Sequence, residues 1–283
     1  MRPTVRGRAP QFGGDGHVPH RPRRRFSQNF LVDRSTIDRI VAAVAPRSDE
    51  HLVEIGPGRG AITGQLAERA GELVLVEIDR DLVATLERSF PELRVIAGDA
   101  LKVCFDSLFP EPLRYRVVGN LPYNISTPLI FRLLSHAKRM SDAHFMLQEE
   151  VVARLAASPG QKAWGRLGVM VQYHCQVEPL FGVSPEAFNP KPQVRSRVVR
   201  LVPHKELPHV ATDYRMLETL VRTAFSLRRK TLRNALKAMP GSEALVADGH
   251  FDFSVRPENL SVADFVGIAN ALSQRAAAES GEA

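Results

Sequence analysis

The stretch Val53-Glu54-Ile55-Gly56-Pro57-Gly58-Arg59-Gly60 decides the fold of this chain. It begins in an apolar run that predicts a strand over residues 51–55, and it leads into a helical pattern over residues 61–70. Between the two, glycines let the backbone turn tightly and approach a ligand closely. Free backbone N–H groups at the start of the helix then face that ligand. The stretch therefore predicts a strand–turn–helix unit that binds a nucleotide-like molecule.

The next two predicted strands end in carboxylates. The strand over residues 73–77 ends in Glu77, which lies 21 positions after Gly56 and can accept hydrogen bonds from both hydroxyls of a ribose. The strand over residues 93–97 is followed closely by Asp99, which is placed to accept a hydrogen bond from an adenine amine. Because three consecutive strand ends carry a glycine turn or a carboxylate, we predict a cofactor that contains adenosine.

The glycine loop does not by itself decide which cofactor binds. Gly56, Gly58 and Ala61 also fit the dinucleotide fingerprint G-x-G-x-x-G/A. A carboxylate such as Glu77 binds the ribose both in NAD-dependent oxidoreductases and in methyltransferases that use S-adenosylmethionine. An NAD-dependent oxidoreductase and an S-adenosylmethionine-dependent methyltransferase therefore both stay open at this point.

The tetrapeptide Asn120-Leu121-Pro122-Tyr123 separates the two classes. It directly follows a strand predicted over residues 115–119. Asn120 can accept a hydrogen bond through its side-chain oxygen, Pro122 has no N–H and leaves a neighbouring carbonyl facing the site, and Tyr123 offers a flat face for a base. Two acceptors on an exocyclic amine such as adenine N6 would free its lone pair for attack. An ordinary turn is the alternative, but an NAD enzyme has no use for this chemistry.

Eight segments in order carry a resemblance to one family, from about Arg25 to Ala271. They are residues 25–31, 53–60, 76–79, 98–101, 120–126, 188–196, 225–234 and 256–261. With these segments the chain resembles the small-subunit ribosomal RNA adenine dimethyltransferases. That family transfers methyl groups from S-adenosylmethionine to the N6 atoms of two adjacent adenosines near the 3′ end of 16S ribosomal RNA, a step in small-subunit biogenesis.

The resemblance implies roles for individual residues. The residues implied to contact the cofactor or the bound adenine are Gln28, Asn29, Leu31, Gly56, Gly58, Glu77, Ile78, Asp99, Ala100 and Asn120. The implied catalytic residues are Asn120, Leu121, Pro122, Tyr123 and Phe188, with Tyr123 and Phe188 on the two faces of the target base. One position departs from the family, because Ser27 stands where a glycine is usual.

Positive charge is concentrated in three places. The net charge is +7, and seven arginines and one aspartate in the first 25 residues leave only about +1 for the rest of the chain. Within that rest, basic side chains cluster on one predicted helix and beside Phe188, which suits contacts with RNA phosphates. The predicted RNA-binding residues are Arg195, Arg228, Arg229, Lys230 and Arg233. Residues 229, 233 and 237 are spaced to share one face of that helix.

The alternation of predicted strands and helices indicates an α/β fold of the Rossmann-like class I methyltransferase type. We expect a mostly parallel, doubly wound sheet with an antiparallel edge, followed by a small C-terminal helical domain. The expected divisions are a disordered basic tail over residues 1–22, a cofactor-binding domain over 23–203, a helical RNA-binding domain over 209–275, and a disordered tail over 276–283.

Several functional classes are disfavoured. No apolar run approaches the roughly 20 residues that span a membrane, and the arginine-rich N-terminus has no apolar core typical of a secretory signal. Cys104 and Cys175 lie far apart without metal-ligand spacing, and the histidines form no cluster, so we expect no metal. We expect a cytoplasmic monomer whose partner is the small ribosomal subunit with its 16S ribosomal RNA.

Three alternatives remain. A large-subunit ribosomal RNA adenine methyltransferase is disfavoured by the segments at 225–234 and 256–261, and an NAD-dependent oxidoreductase by residues 120–123. A non-catalytic checkpoint role on an assembling ribosomal subunit is as compatible with the basic residues as catalysis is.

Overall fold

Strands and helices alternate along the computed structural model, which describes residues 29–122, 125–227 and 229–281. The strands are β1 (Phe30–Leu31), β2 (His51–Ile55), β3 (Glu72–Glu77), β4 (Arg94–Ala97), β5 (Tyr115–Asn120), β6 (Met140–Gln148), β7 (Cys175–Val183), β8 (Phe188–Asn189) and β9 (Ser196–Pro203). The helices are α1 (Arg34–Val44), α2 (Thr63–Ala67), α3 (Arg80–Ser89), α4 (Ser126–Leu134), α5 (Glu149–Leu155), α6 (Arg166–His174), α7 (Tyr214–Ser226), α8 (Leu232–Leu236), α9 (Ser242–Ala247) and α10 (Val262–Gly281).

The central sheet has the strand order β4-β3-β2-β5-β6-β9-β7. The first five strands are parallel to one another, and β9 pairs antiparallel with both β6 and β7. The chain therefore winds outward from β2 to β4, returns to β5 and continues on the other side. The predicted mostly parallel sheet with an antiparallel edge is confirmed. In such a sheet ligands bind where the strand order reverses, which here is between β2 and β5.

Both faces of the sheet are covered, so the central strands are apolar at nearly every position. Val53, Val117 and Phe145 belong to a core on one face, whereas Leu52, Leu75 and Val118 belong to a core on the other. The exposed fraction of each of these side chains is 1% or less. Buried charged residues are few in these strands, and they are Glu54 in β2, Glu77 in β3, Arg116 in β5 and Asp142 in β6.

A third core holds the C-terminal helices against α6. Trp164 is 1% exposed, and its indole N–H donates to the carbonyl of Leu260 at 2.9 Å. Met170 of α6 lies in the same cluster as Leu217 and Phe265 of the later helices. A helical region after residue 209 is therefore present, but its core begins with α6, before the expected division. The exact domain boundaries stay predictions.

The basic residues do not lie on one helix. Arg229 and Lys230 lie in the turn between α7 and α8, and Lys237 follows the end of α8. The backbone N–H of Arg233 donates to the carbonyl of Phe253 at 3.0 Å, and not to a carbonyl one helical turn earlier. The prediction of a shared helical face at positions 229, 233 and 237 is wrong. In a continuous helix the N–H of Arg233 would donate to the carbonyl four residues earlier, but here it forms a tertiary hydrogen bond.

Two other predicted boundaries also differ. Helix α2 covers only residues 63–67 of the predicted 61–70, since the glycine turn extends through residue 62. Helix α10 continues to Gly281, although we expected disorder from residue 276. The run of alanines at 276–278 explains the continuation, because alanine has the highest helix propensity.

A buried ion-pair network fastens the sheet to α1. Arg116 of β5 donates to Asp142 of β6 at 2.7 Å, to Glu50 at 2.7 Å and to the carbonyl of Val44 at 2.7 Å. Arg200 also donates to Asp142 at 2.9 Å. Burial raises the pKa of the Asp142 carboxyl, but the hydrogen bonds and charge of Arg116 outweigh burial, so this pKa lies below its ordinary value.

We predict that Asp142→Asn lowers the free energy of unfolding at pH 7 by about 2–4 kcal/mol, because it removes the more buried of the two carboxylates that pair with Arg116 and leaves only Glu50. A carboxylate with a depressed pKa stabilises the fold above its unfolded-state pKa of about 4 and loses that contribution as the pH falls. The difference between wild type and variant, measured by urea unfolding, should therefore shrink below pH 4. Asp49→Asn, in an exposed pair with Arg47, is the control and should have little effect. Equal stabilities of wild type and Asp142→Asn at pH 7 would contradict this prediction.

Candidate active site

One pocket lies at the carboxyl ends of β2, β3 and β5. All described residues for which a cofactor contact was predicted line it: Asn29, Leu31, Gly56, Gly58, Glu77, Ile78, Asp99, Ala100 and Asn120. Leu121, Pro122 and Phe188 from the catalytic set line it as well. Gln28 and Tyr123 lie outside the described residues, as does Ser27. The fold therefore brings together residues from six separate parts of the sequence.

The glycine loop has the conformation that its sequence predicts. Gly56 and Gly58 have φ angles of +67° and +58°, a region that is costly for residues with a side chain. A Cβ atom at Gly58 would also lie 3.3 Å from the ring of Phe30. The Gly56 N–H donates to the carbonyl of Val76 at 2.9 Å, which fixes the loop to β3. The loop therefore needs glycine for its backbone shape and for the close approach of Phe30.

Glu77 is oriented by backbone donors. It is 5% exposed and accepts hydrogen bonds from the N–H groups of Gly58 at 3.1 Å, Ile78 at 2.9 Å and Asp79 at 3.0 Å. Burial raises the pKa of this carboxyl, and the three donors only partly offset the effect. A carboxylate has about four acceptor positions, so three are in use. One acceptor position of Glu77 is left for a ribose hydroxyl. If Glu77 accepts from both ribose hydroxyls, one of its three hydrogen bonds from backbone N–H groups must break.

The wall beyond Glu77 suits a purine ring. Ile78, which is 46% exposed, joins Leu82 and Ala100 as apolar lining of the pocket. Asp99 accepts from the N–H of Leu101 through Oδ1 at 2.9 Å, and among the described residues no donor is found for its Oδ2. A flat apolar slot with one carboxylate oxygen at its edge can hold an adenine and accept from its amine.

Asn120 faces the pocket from the end of β5. Its Nδ2 donates to the carbonyl of Asn29 at 3.4 Å, which leaves Oδ1 as an acceptor for a ligand. The carbonyl of Pro122 already accepts from the N–H of Ile125 at 3.1 Å. Among the described residues no donor is found for the carbonyl of Leu121, so this oxygen is the candidate for the second acceptor.

A small two-stranded sheet places Phe188 in the pocket. Strands β1 and β8 pair antiparallel, with Leu31 opposite Phe188. The N–H of Val32 adds a hydrogen bond to the carbonyl of Ala187 at 2.8 Å. Phe188 is 5% exposed and lines the pocket. The entry segment and the Phe188 loop therefore form one wall, although they lie far apart in the sequence.

Two buried titratable residues that were not predicted from the sequence also line the pocket, Glu54 and His144. Glu54 Oε2 accepts from the Thr63 hydroxyl at 2.7 Å, and burial raises the pKa of its carboxyl to about 8. Burial lowers the pKa of His144 to about 4. The signal for Glu54 was present in the sequence, because a single carboxylate interrupts an otherwise apolar strand.

A contact between two residues of the pocket lining was also not predicted from the sequence. The guanidinium of Arg59 lies over the ring of Phe30, 4.3 Å from its centroid, and both residues line the pocket. A cation above an aromatic face is a favourable arrangement. This contact supports the Phe30 ring in its position beside Gly58.

Four of the predicted RNA-binding residues are described, and they lie outside the pocket lining. Arg195 is paired with Glu149 at 3.6 Å, with its side chain 65% exposed. Arg229, Lys230 and Arg233 are exposed, and Arg228 lies outside the described residues. Their contact with RNA stays a prediction.

Two other features are absent from the residues that the structure describes. No group of three or more His, Cys, Asp or Glu residues in that part of the chain could hold a metal ion. Across the same residues, no helix is long and apolar enough to cross a membrane.

Comparison with known proteins identifies the family. Residues 19–274 match the model of the ribosomal RNA adenine dimethylase family. The chain belongs to this family. It is 54% identical over 263 residues to a protein of Pseudomonas savastanoi pv. phaseolicola named ribosomal RNA small subunit methyltransferase A, covering 92% of this chain and 98% of the relative. A Marinobacter nauticus protein of the same name is 54% identical over 257 residues, covering 89% of this chain and 92% of that protein.

Solved structures agree with this assignment. A dimethyladenosine transferase from Plasmodium falciparum has a TM-score of 0.70 at 27% identity, covering 87% of this chain and 97% of that one. The 23S rRNA methyltransferase ErmE has a TM-score of 0.66 at 26% identity, covering 87% of this chain and 100% of that one.

We predict that Gly58→Ala weakens binding of S-adenosylmethionine by about tenfold or more, since a residue with a Cβ atom is strained at φ +58° by about 1–2 kcal/mol and displaces Phe30. Gly249→Ala is the matched control, because Gly249 has φ +68° but no atom near its added Cβ. Isothermal titration with the cofactor should separate the two variants, whereas urea unfolding should find them similarly destabilised. Equal cofactor affinities would contradict a role of this loop in binding.

Proposed function

We propose that this chain transfers methyl groups from S-adenosylmethionine to the N6 atoms of two adjacent adenosines near the 3′ end of small-subunit (16S) ribosomal RNA, giving N6,N6-dimethyladenosine. The observation that carries the proposal is the pair of acceptors, Asn120 Oδ1 and the Leu121 carbonyl, beside a pocket with separate positions for ribose and purine. The relatives that share 52–54% of their residues with this chain are named as small-subunit enzymes.

The family match disfavours two of the three alternatives left by the sequence. An NAD-dependent oxidoreductase is not supported by any of these relatives. The large-subunit methyltransferase ErmE shares the fold at 26% identity, about half the identity of the small-subunit relatives. The small subunit is therefore the favoured substrate. A monomeric state and a cytoplasmic location stay predictions.

The proposed mechanism is a direct in-line displacement. S-adenosylmethionine supplies an electrophilic methyl group on its sulfonium. Asn120 Oδ1 and the Leu121 carbonyl accept hydrogen bonds from the two hydrogens of adenine N6, which turns the nitrogen lone pair toward that methyl group. Phe188 holds one face of the base. The methylated nitrogen is acidic enough to lose its proton to water, so no strong base is required.

Orientation supplies much of the rate enhancement in this mechanism. Positioned reactants can gain about 7–11 kcal/mol relative to free encounter. The neutral acceptors suit this task because they fix the amine without competing for the methyl group. Glu77 and Asp99 would hold the ribose and adenine of the cofactor at a distance from the reacting nitrogen.

Transfer of labelled methyl groups tests the proposal. We expect the wild-type protein to label small ribosomal subunits that lack adenine dimethylation, and digestion of their RNA to yield N6,N6-dimethyladenosine. Subunits that already carry the modification, and large subunits, serve as controls. Preferential labelling of large subunits would contradict the proposed substrate.

We predict that Asn120→Ala lowers the rate of this transfer by on the order of 100-fold, the usual effect of removing one transition-state hydrogen bond. Cofactor affinity should stay nearly unchanged, because Asn120 acts on the amine of the substrate. Asn259→Ala, at an exposed asparagine that does not line the pocket, is the matched control. Full activity of Asn120→Ala would refute its proposed role.

A further inference from the structure

The loop over residues 188–195, which carries Phe188, is attached to the rest of the protein at both ends. At the first end β8 pairs with β1, and the N–H groups of Val32 and Asp33 both donate to the carbonyl of Ala187, at 2.8 Å and 3.2 Å. Beyond Phe188 the loop packs little against the core, since among residues 189–195, all of which the structure describes, only Pro192 is buried. Polar contacts at the second end therefore matter for the position of the loop.

Glu149 makes contacts at this second end. It is the first residue of α5 and directly follows β6. Its backbone N–H donates to the carbonyl of Arg195 at 3.0 Å, and its Oε1 accepts from Nη2 of Arg197 at 2.8 Å and from Nε at 3.3 Å. Its other carboxylate oxygen, Oε2, lies 3.6 Å from Nε of Arg195. One side chain thus holds the two arginines on either side of Ser196, the first residue of β9.

The contact between Glu149 and Arg197 is an ion pair at neutral pH. The hydrogen bond from Arg197 holds the pKa of the Glu149 carboxyl below its ordinary value. The two side chains are 39% and 36% exposed, and ion pairs of such exposure contribute little to the overall free energy of unfolding. Two N–H groups of one guanidinium on one oxygen do, however, fix the direction of the contact as well as its length. The pair therefore suits a local positioning role.

Strand β6 connects this ion pair to the acceptors at the end of β5. Met146 of β6 pairs with Asn120 in the sheet, and its carbonyl accepts from the N–H of Leu121 at 3.3 Å. Glu149 follows three positions after Met146. The end of β6 therefore holds both the acceptors for the target amine and the second end of the loop that carries Phe188.

We propose that Glu149 is a positioning residue for the target adenine. Through Arg195 and Arg197 it holds the loop so that Phe188 and Asn120 can contact the same base. The proposal rests on the proposed function, in which Phe188 holds one face of the adenine and Asn120 its amine. Glu149 does not line the pocket, so it acts on the base only through the loop.

Methyl transfer to small ribosomal subunits that lack adenine dimethylation tests this proposal in a double-mutant cycle. The proteins are the full-length wild type, Glu149→Ala, Phe188→Ala and the double variant. We expect Glu149→Ala to lower kcat/KM by about fivefold, as for the loss of a partly exposed ion pair. In the Phe188→Ala background the same substitution should have almost no further effect, because the residue through which Glu149 acts is gone. The Kd of S-adenosylmethionine should not change.

Glu150→Ala is the matched control for Glu149→Ala. Glu150 is the next residue in the first turn of α5, is exposed, and forms no ion pair with a described residue. Its substitution removes the same charge from the start of the helix and should leave kcat/KM at the wild-type value. Arg197→Ala should reproduce the loss found for Glu149→Ala.

Three kinetic results would overturn the proposal. The first is a wild-type kcat/KM in Glu149→Ala. The second is an equal loss in Glu150→Ala. The third is a loss on substitution of Glu149 that is just as large when Phe188 is already alanine, because Glu149 would then act by another route.

Hydrogen exchange of the ligand-free protein gives a readout that requires no substrate. The backbone amides of residues 187–196 should exchange faster in Glu149→Ala than in the wild type, whereas those of the glycine loop, residues 56–60, should exchange at the same rate. Unchanged exchange over residues 187–196 would overturn the proposal, and so would faster exchange in both segments, because Glu149 would then support the fold as a whole. Failure of the wild type to label small subunits would instead refute the proposed function, and with it the role of Glu149 toward adenine.

Discussion

The parallel pairing of β2 with β3 and β5 is the constraint on which the site depends. Register fixes Ile55 beside both Val76 and Gly119, so that the glycine loop, Glu77 and Asn120 emerge at the same edge of the sheet. Only a glycine fits at position 119, since a Cβ atom there would lie 2.7 Å from the carbonyl oxygen of Ile55. The spacing between the glycine loop, Glu77 and Asn120 therefore follows from the backbone hydrogen bonds of the sheet.

Much of the fold and most of the pocket could be predicted because their signals are local. The glycine loop needs positive φ angles, and the carboxylates follow their strands directly, so short segments carry the information. Non-local features could not be obtained this way. The pairing of β1 with β8, which brings Phe188 to the entry segment, and the tertiary bond from Arg233 to Phe253, which separates α7 from α8, join segments that no periodicity connects.

Burial gives Glu54, a pocket residue to which the sequence assigned no role, its unusual pKa. Glu54 is a plain glutamate in the sequence, and only its position between covered sheet faces gives its carboxyl a pKa of about 8. Glu77, in the same pocket, is better solvated by three backbone donors. Glu54 and Glu77 therefore differ in how well their ionised forms are stabilised. Glu77 accepts three hydrogen bonds from backbone N–H groups, whereas Glu54 accepts one from the Thr63 hydroxyl.

A crystal structure of the protein with S-adenosylhomocysteine and adenosine, or a short adenine-containing RNA, would test the central claim most directly. We expect adenine N6 to lie within hydrogen-bond distance of both Asn120 Oδ1 and the Leu121 carbonyl oxygen. The sulfur of S-adenosylhomocysteine should lie on the side of this nitrogen that faces away from the two oxygens. An adenine bound with its amine directed away from these two oxygens would contradict the account.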